Sequence, residues 1–434
     1  MNRLAAKLKG LSSGKERRRF SGGTLVFALL GPVFSQLALV HALAQDSLLL
    51  SQNNQRDANN RTQNLETLPY TMRWGDLKLL AGASMAGEWN DNINLSQVAP
   101  ESDFILHPKA DCSLYWPVTD INVLNVSIGI GYDKYLSHSE NDHVNVSPGS
   151  QLNWDVTIQQ FKINLHDLFS YYEDPTIYGS VSGVTRFGGF ENTAGVLGTW
   201  DLYDVVLSLG YDHYNFISST TAYSYTTHAS DFVTGRVAAR VHPGVLVGVE
   251  TSAGPTEYDE AVLQNNTTFS LGAFAEWQVT DFIKTEIHSG YLVYNFDKLD
   301  PIPAATETGY YLSMECNQRI REHLSCALEA GHETSLGIYS SLTEEWYGQG
   351  GIDWQPLGHL SAHADLRYEM VTQPIYLQGN DNYDRVGVNF LVADRLNKKW
   401  TASVAYRYWI KSADTVTYED YEQNQVTLQI AYQF

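Results

Sequence analysis

The sequence predicts an all-β protein, a transmembrane antiparallel up-and-down β-barrel of about eighteen strands, with sixteen as the alternative count. Three observations predict this fold. Apolar side chains recur at every second position from Leu77 to the last residue, short connections alternate with long polar ones, and tryptophans fall where the strands end. Together these features are typical of a barrel that crosses an outer membrane.

Before the barrel, residues 1–44 have the features of a signal peptide. Lysines and arginines between positions 7 and 19 form a basic region, residues 24–40 are apolar, and Ala42-Leu43-Ala44 is a small-x-small cleavage site. A retained membrane anchor is the alternative interpretation of this segment. Because seven of the 28 basic and one of the 49 acidic residues lie in it, the mature chain carries a formal charge of −27. Such a chain repels nucleic acid, so we expect no nucleic-acid partner.

Residues 45–75 are rich in Asn, Gln and Arg and show no apolar period. We expect them to form a flexible polar periplasmic leader. Residues 76–434 are then the barrel domain.

The clearest strand lies between Phe104 and Trp116. The even positions, Pro108 included, are apolar, and His107, Lys109 and Asp111 stand between them, so the charges lie on one face and the apolar groups on the other. The same alternation recurs in the segments 124–132, 152–158, 269–277, 360–370 and 400–410.

The connections between strands fall into two kinds. Short ones contain turn residues, and they lie at 117–120, 242–244, 279–281 and 355–358. Long ones are polar and acidic, and they lie at 90–102, 136–149, 173–189, 215–228, 252–264 and 295–304. The count is nine long loops and eight short turns, with the short turns expected in the periplasm and the long loops outside the cell. The count of eighteen depends on two strand boundaries, one between Ile158 and Phe161 and one near Asp201, and sixteen is the alternative.

A soluble all-β protein, such as stacked sandwiches or a propeller, is the rival prediction. Its strands would alternate in the same way. The tryptophans favour the barrel, because they lie near strand ends on the apolar side, as aromatic girdles at two membrane interfaces do: Trp89, Trp116, Trp154, Trp200, Trp277, Trp354 and Trp400. No repeat of about 40 residues typical of a propeller is present.

The last strand alternates apolar and polar residues up to Tyr432 and Phe434. A terminal aromatic residue on such a strand resembles the assembly signal of Gram-negative outer-membrane barrels. We therefore expect the barrel-assembly machinery, outer-membrane lipid and lipopolysaccharide as partners.

Four segments resemble the type 2 family of β-barrel porins: residues 88–96 (EWNDNINLS), 101–105 (ESDFI), 145–149 (NVSPG) and 169–175 (FSYYEDP). The resemblance runs through most of residues 76–434. It implies an outer-membrane barrel with a porin-like function and names no substrate.

An aqueous barrel places its polar strand face towards the lumen, so charged residues in that phase are predicted to line a pore. These residues are Lys109, Asp111, Arg236, Arg240, Glu276, Glu286, His363, Asp365, Arg367 and Arg407. The alternative is that they pair across strands and brace the wall. A further hypothesis is that the four arginines face the acidic groups across the lumen and together produce a transverse electric field. Inward glycines, among them Gly248, Gly290 and Gly331, leave space for an open lumen or ease strand bending.

The predicted function is passive diffusion of small hydrophilic solutes or ions. A conduit or accessory for polysaccharide export, or a surface structural or adhesion barrel, is the alternative, suggested by acidic loops such as residues 380–384. An enzyme would need groups near His332 or the pair His288-Ser289, but neighbouring strand residues point to opposite faces and no G-x-S-x-G motif is present. No catalytic residue, metal site or cofactor is predicted, and a homo-oligomer is left open.

Two cysteines, Cys316 and Cys326, flank a predicted turn at the ends of neighbouring strands. A disulfide between them is one interpretation in an oxidising periplasm. The other is that both are small apolar side chains that face lipid.

Overall fold

The computed structural model describes residues 70–119, 121–339, 341–375, 379–414 and 420–434. The predicted signal peptide and nearly all of the predicted leader lie outside the described residues. The strands are β1 (Met72–Trp74), β2 (Leu77–Asn90), β3 (Asp103–Thr119), β4 (Asn122–Tyr135), β5 (His143–Ile158), β6 (Phe161–Tyr172), β7 (Gly189–Asp201), β8 (Val205–Ser218), β9 (His228–His242), β10 (Val245–Tyr258), β11 (Asn266–Thr280), β12 (Ile283–Phe296), β13 (Ala305–Arg321), β14 (Leu324–Leu336), β15 (Leu342–Trp354), β16 (Leu360–Ile375), β17 (Gly379–Asp394), β18 (Trp400–Ala413) and β19 (Tyr421–Gln433).

Strands β2 to β19 form one closed antiparallel barrel, because each pairs with the next and β19 pairs back onto β2. The closing register sets Val426 opposite Trp89 and Gln433 opposite Gly82. The short β1 adds to the start of β2. The predicted fold class and the count of eighteen barrel strands are confirmed, including the breaks after Ile158 and Asp201.

The outer face of the barrel is apolar, since large hydrophobic side chains such as Leu209 and Leu428 are exposed there. Six exposed tryptophans lie within a few residues of the short turns and form a girdle at that rim: Trp116, Trp154, Trp200, Trp277, Trp354 and Trp400. An exposed apolar band with an aromatic girdle is stable only against hydrocarbon. In the described part of the chain, no helix is long and apolar enough to span a membrane.

The strands extend further on the long-loop side than the sequence predicted. Strand β5 already begins at His143, β10 continues to Tyr258, and residues 380–384, predicted as an acidic loop, belong to β17. The reason is that backbone pairing in a hairpin continues past the membrane surface. Both faces are hydrated there, so the side chains no longer need to alternate.

Candidate functional site

The connection between β6 and β7, residues 173–188, folds against the inner face of the barrel, and we call it the inward loop. Its start is fixed by a short 3-10 helix, Pro175–Ile177, whose first turn is capped by Asp174 accepting a hydrogen bond from the Thr176 amide at 2.9 Å. Its end is held by apolar packing, since Val181 and Phe187 are fully buried together with Ile338.

Charged side chains of β17 and β18 bind the inward loop at its 3-10 helix and at its middle. Arg385 Nη1 donates to the Thr176 carbonyl at 2.8 Å, and Lys411 Nζ donates to Ser182 Oγ at 2.8 Å. Both cations are almost completely buried. Burial of a charge is costly unless it is paired and hydrogen-bonded, so these contacts specify one position for the inward loop.

Arg385 belongs to a buried network centred on Glu369. Glu369 accepts from Arg385 Nε at 2.7 Å and Nη2 at 2.9 Å, and from Arg367 Nε. Arg367 also donates to Glu345 and to Gln349, both at 3.0 Å. The predicted lumen residue Arg367 therefore joins β16 to β15, and Glu369 continues the network to Arg385 of β17.

Where the inward loop leaves β6, Glu173 forms an ion pair with Arg186. It also accepts from the Tyr171 hydroxyl at 2.7 Å. Burial raises the pKa of the Glu173 carboxyl, but the Arg186 guanidinium and the Tyr171 hydroxyl outweigh it, so the pKa lies below its ordinary value. The pair closes the two ends of the inward loop onto each other.

A polar cavity of about 200 Å³ lies between the inward loop and the wall formed by β2–β5 and β17–β19. One side of it is ionic. His107 Nδ1 lies 2.6 Å from Asp133 and its Nε2 lies 3.7 Å from Glu88, while His143 Nε2 lies 3.2 Å from Asp133. Lys109 and the Glu173–Asp174 corner of the inward loop complete this side.

The other side of the cavity is uncharged apart from Arg407. The inward positions of β19 supply a row of amide and hydroxyl groups: Gln423, Gln425, Thr427 and Gln429. Arg407 lies 3.7 Å from Asp174, so it links this side to the inward loop. The cavity thus offers donors, acceptors and both charge signs to a hydrated solute.

Several predicted lumen residues lie away from the cavity, towards the short turns. Arg236 lies 3.2 Å from Glu276 and 3.6 Å from Glu250, with its guanidinium over the Phe274 ring. Arg240 is half-exposed at the rim and pairs with Asp201 at 3.3 Å. The arginines therefore have acidic partners close beside them, rather than only across the lumen.

The remaining predicted residues form local ion pairs. Lys109 lies 3.0 Å from Asp111, and Glu286 lies 2.5 Å from Lys284. His363 lies between Asp353 at 2.8 Å and Asp365 at 3.0 Å. The structure thus distributes the ten residues over several separate groups. The ionic group of His107, His143, Asp133 and Glu88 contains none of them.

The inward glycines adjoin aromatic rings. An added Cβ at Gly290 would overlap the Tyr311 ring, and one at Gly331 or Gly248 would lie 2.7 Å from Tyr347 or Phe274. The aromatic rings pack against the barrel wall at these glycines, because a glycine has no side chain of its own there. The space predicted beside these glycines is therefore occupied.

The other sequence-predicted features are placed as follows. His332 stacks on Tyr310 with ring centroids 3.9 Å apart and lies 4.7 Å from Trp346, two aromatics of the outer face.

Cys316 and Cys326 are free thiols, so the predicted disulfide interpretation is wrong and neither cysteine bridges the strands.

Tyr432 and Phe434, predicted as the assembly signal, lie where the barrel closes. The Tyr432 ring packs on Trp400 at 4.7 Å, and the Phe434 amide donates to the Ala81 carbonyl at 3.1 Å. The two residues thus connect the last strand to both of its neighbours.

Sequence reasoning missed Arg385, because residues 380–384 were predicted to be a loop. A signal was available. Val386, Val388 and Phe390 alternate with Arg385, Gly387 and Asn389, which places the arginine in the inward phase.

No protein-family model matches the sequence, and no curated protein matches it. Among solved structures, the chain is similar to Pseudomonas aeruginosa OccK2 (OpdF), with 9% identity and a TM-score of 0.47, covering 82% of this chain and 98% of that one. It is also similar to Pseudomonas aeruginosa OpdQ, with 10% identity and a TM-score of 0.48, covering 83% and 100%.

Proposed function

We propose that the protein is a porin-like channel of the outer membrane, through which small hydrophilic solutes or ions diffuse passively. The observation that carries the proposal is the polar cavity enclosed between the inward loop and the wall of a barrel whose outside is apolar. A hydrated solute can exchange water for the hydrogen-bonding groups of this cavity, whereas the surrounding hydrocarbon offers none.

In this proposal the ten predicted residues have different parts. Lys109 and Arg407 line the cavity itself. Six others line the lumen between the cavity and the short turns: Asp111, Arg236, Glu276, Glu286, His363 and Asp365. Arg240 lies at the rim, and Arg367 acts by holding Glu369 in position. The signal peptide, periplasmic short turns and the Phe434 assembly signal are parts of the same proposal.

Single-channel recording tests the proposal. Refolded protein added to a planar lipid bilayer is expected to give stepwise currents. Ser84 lines the cavity and Ala83 beside it has the opposite phase on β2, so Ser84→Trp is expected to reduce the step while Ala83→Trp leaves it unchanged. A correctly folded barrel without any current would overturn the proposal.

A further inference from the structure

Four glutamates stand side by side on the inner face of β11 to β14. Glu276 is in register with Glu286, Glu286 with Glu315, and Glu315 with Glu329. Their chain neighbours point the opposite way and are exposed apolar residues of the outer face: Trp277, Ile287, Met314 and Leu328. We call these four carboxylates the glutamate row.

Residues directly opposite each other in an antiparallel pair have Cβ atoms about 4.5–5.5 Å apart, and like charges at that spacing destabilise a sheet. Two cations lie beside the four carboxylates, with Arg236 at 3.2 Å from Glu276 and Lys284 at 2.5 Å from Glu286. Glu329, at the other end, is bound by neutral donors, the Tyr347 hydroxyl at 3.1 Å and the Gln349 amide at 2.5 Å. The row therefore keeps an excess of negative charge.

The acidic wall continues beyond the row. Glu333 is in register with Glu345, and Asp353 and Asp365 lie on both sides of His363. From β11 to β16 the inward phase contains ten acidic residues, which are Glu276, Glu286, Glu307, Glu315, Glu329, Glu333, Glu345, Asp353, Asp365 and Glu369. The permanent cations of that phase are Lys284, Arg319 and Arg367, and Arg236 of β9 and Arg385 of β17 reach Glu276 and Glu369 from the flanking strands. The acidic groups remain in excess.

The charges around the cavity at the inward loop are more evenly balanced. Four carboxylates line it, those of Glu88, Asp133, Glu173 and Asp174. Basic groups lie beside all four, because His107 and His143 adjoin Asp133, His107 also adjoins Glu88, and Arg186 and Arg407 pair with Glu173 and Asp174. The excess of carboxylates therefore lies in the half of the lumen near the short turns.

We propose that the lumen conducts cations in preference to anions, with the glutamate row as the main selectivity determinant below the inward loop. This inference rests on the proposed pore function. Fixed carboxylates in a wall of low dielectric attract mobile cations and repel mobile anions along the whole path. The solutes that fit such a lumen are inorganic cations and small organic ammonium compounds.

The reversal potential across a bilayer with a KCl gradient tests the inference in the unmodified protein. The reversal potential is expected to have the same sign as the equilibrium potential of K⁺. The preference for K⁺ over Cl⁻ is expected to weaken at about 1 M salt, where the Debye length falls to about 3 Å. The quadruple variant E276Q/E286Q/E315Q/E329Q is expected to lower the K⁺/Cl⁻ permeability ratio by about twofold or more.

A matched control removes four exposed carboxylates instead, one at the end of β10 and three in long loops, with the substitutions E257Q, D259N, E260Q and D300N. It is expected to keep the permeability ratio of the unmodified protein. A channel that prefers Cl⁻, or that shows no preference at low salt, would overturn the inference and leave the pore intact. The absence of any current from folded protein would overturn the pore and the inference together.

Discussion

Arg385 and Thr176 lie 209 positions apart in the chain, yet the guanidinium Nη1 of one donates to the carbonyl of the other at 2.8 Å. The same guanidinium forms two hydrogen bonds to Glu369 and stacks 4.2 Å above the Trp409 ring. Because planar arginine groups form such forked contacts in fixed geometry, β17 determines where the inward loop lies.

Replacement of Arg385 with methionine is expected to release the inward loop. Methionine keeps an unbranched apolar stem but loses the guanidinium and its hydrogen bonds, and breaking a buried ion pair costs about 3–5 kcal/mol. A loss of only 1.4 kcal/mol in local stability increases the population of molecules with an open loop by a factor of about ten. Trypsin should therefore cut after Arg186 at least about tenfold faster, as followed by mass spectrometry.

Arg240→Met is the matched control, because Arg240 is also an inward arginine but pairs at the exposed rim with Asp201. It should leave cleavage after Arg186 unchanged. Equal rates for the Arg385 and Arg240 variants would show that Arg385 does not hold the inward loop.

Replacement of Gly290 with valine is expected to destabilise the barrel by about 1–3 kcal/mol, the usual cost of overpacking. The new side chain would overlap the Tyr311 ring, whose hydroxyl donates to Glu250 at 2.9 Å. The ring would have to move and leave the carboxylate without that donor. Urea unfolding in detergent or lipid, followed by mobility on cold SDS gels, measures the difference.

Gly351→Val is the control for this comparison, since Gly351 is also on the inward face, opposite Asp365, and an added Cβ there would lie 3.7 Å from His363, an ordinary contact distance. It carries the same change in β-propensity without the overlap. If both valine variants unfold at the same urea concentration, the contact between Gly290 and Tyr311 does not contribute to stability.

The strand pattern was predictable because a lipid-facing wall leaves a strict period of two, as in residues 104–116. The bilayer acts on each strand separately, so each strand records its own orientation in the sequence. The boundaries near His143 and Tyr258 could not be read in the same way, because outside the hydrocarbon either face tolerates polar residues.

The inward loop could not be predicted for a different reason. Residues 173–189 have the polar composition of an ordinary exposed loop, and their position depends on Arg385 and Lys411, more than 200 positions later. The same holds for the glycines, because only the register of β12 and β13 shows that Tyr311 stands opposite Gly290. Contacts between distant strands depend on which strands pair and in which register, and a single sequence does not show that pairing.

Acidification is expected to loosen the inward loop through Glu173. Its folded pKa lies below the ordinary value of 4.5, so the ionised form contributes stability that is present above pH 4.5 and is lost as the pH falls through the folded pKa. Amide hydrogen exchange of residues 173–188, corrected for the intrinsic rate, should be constant from neutral pH to about pH 5 and rise below it. In Glu173→Gln the exchange should be fast at every pH, and a variant that keeps the acid-induced rise would assign that rise to another group.

The tryptophan girdle predicts the depth at which the barrel lies in a bilayer. Trp277 is half-exposed on the outer face near a short turn, whereas Trp409 is buried on the inner face beneath Arg385. Phospholipids brominated near the headgroup end of the acyl chain should therefore quench the fluorescence of the protein more strongly than those brominated near the methyl end. Trp277→Phe should reduce the quenched fraction and Trp409→Phe should not, because no lipid reaches the lumen. Strongest quenching from the methyl end would place the girdle at the bilayer centre and contradict this orientation.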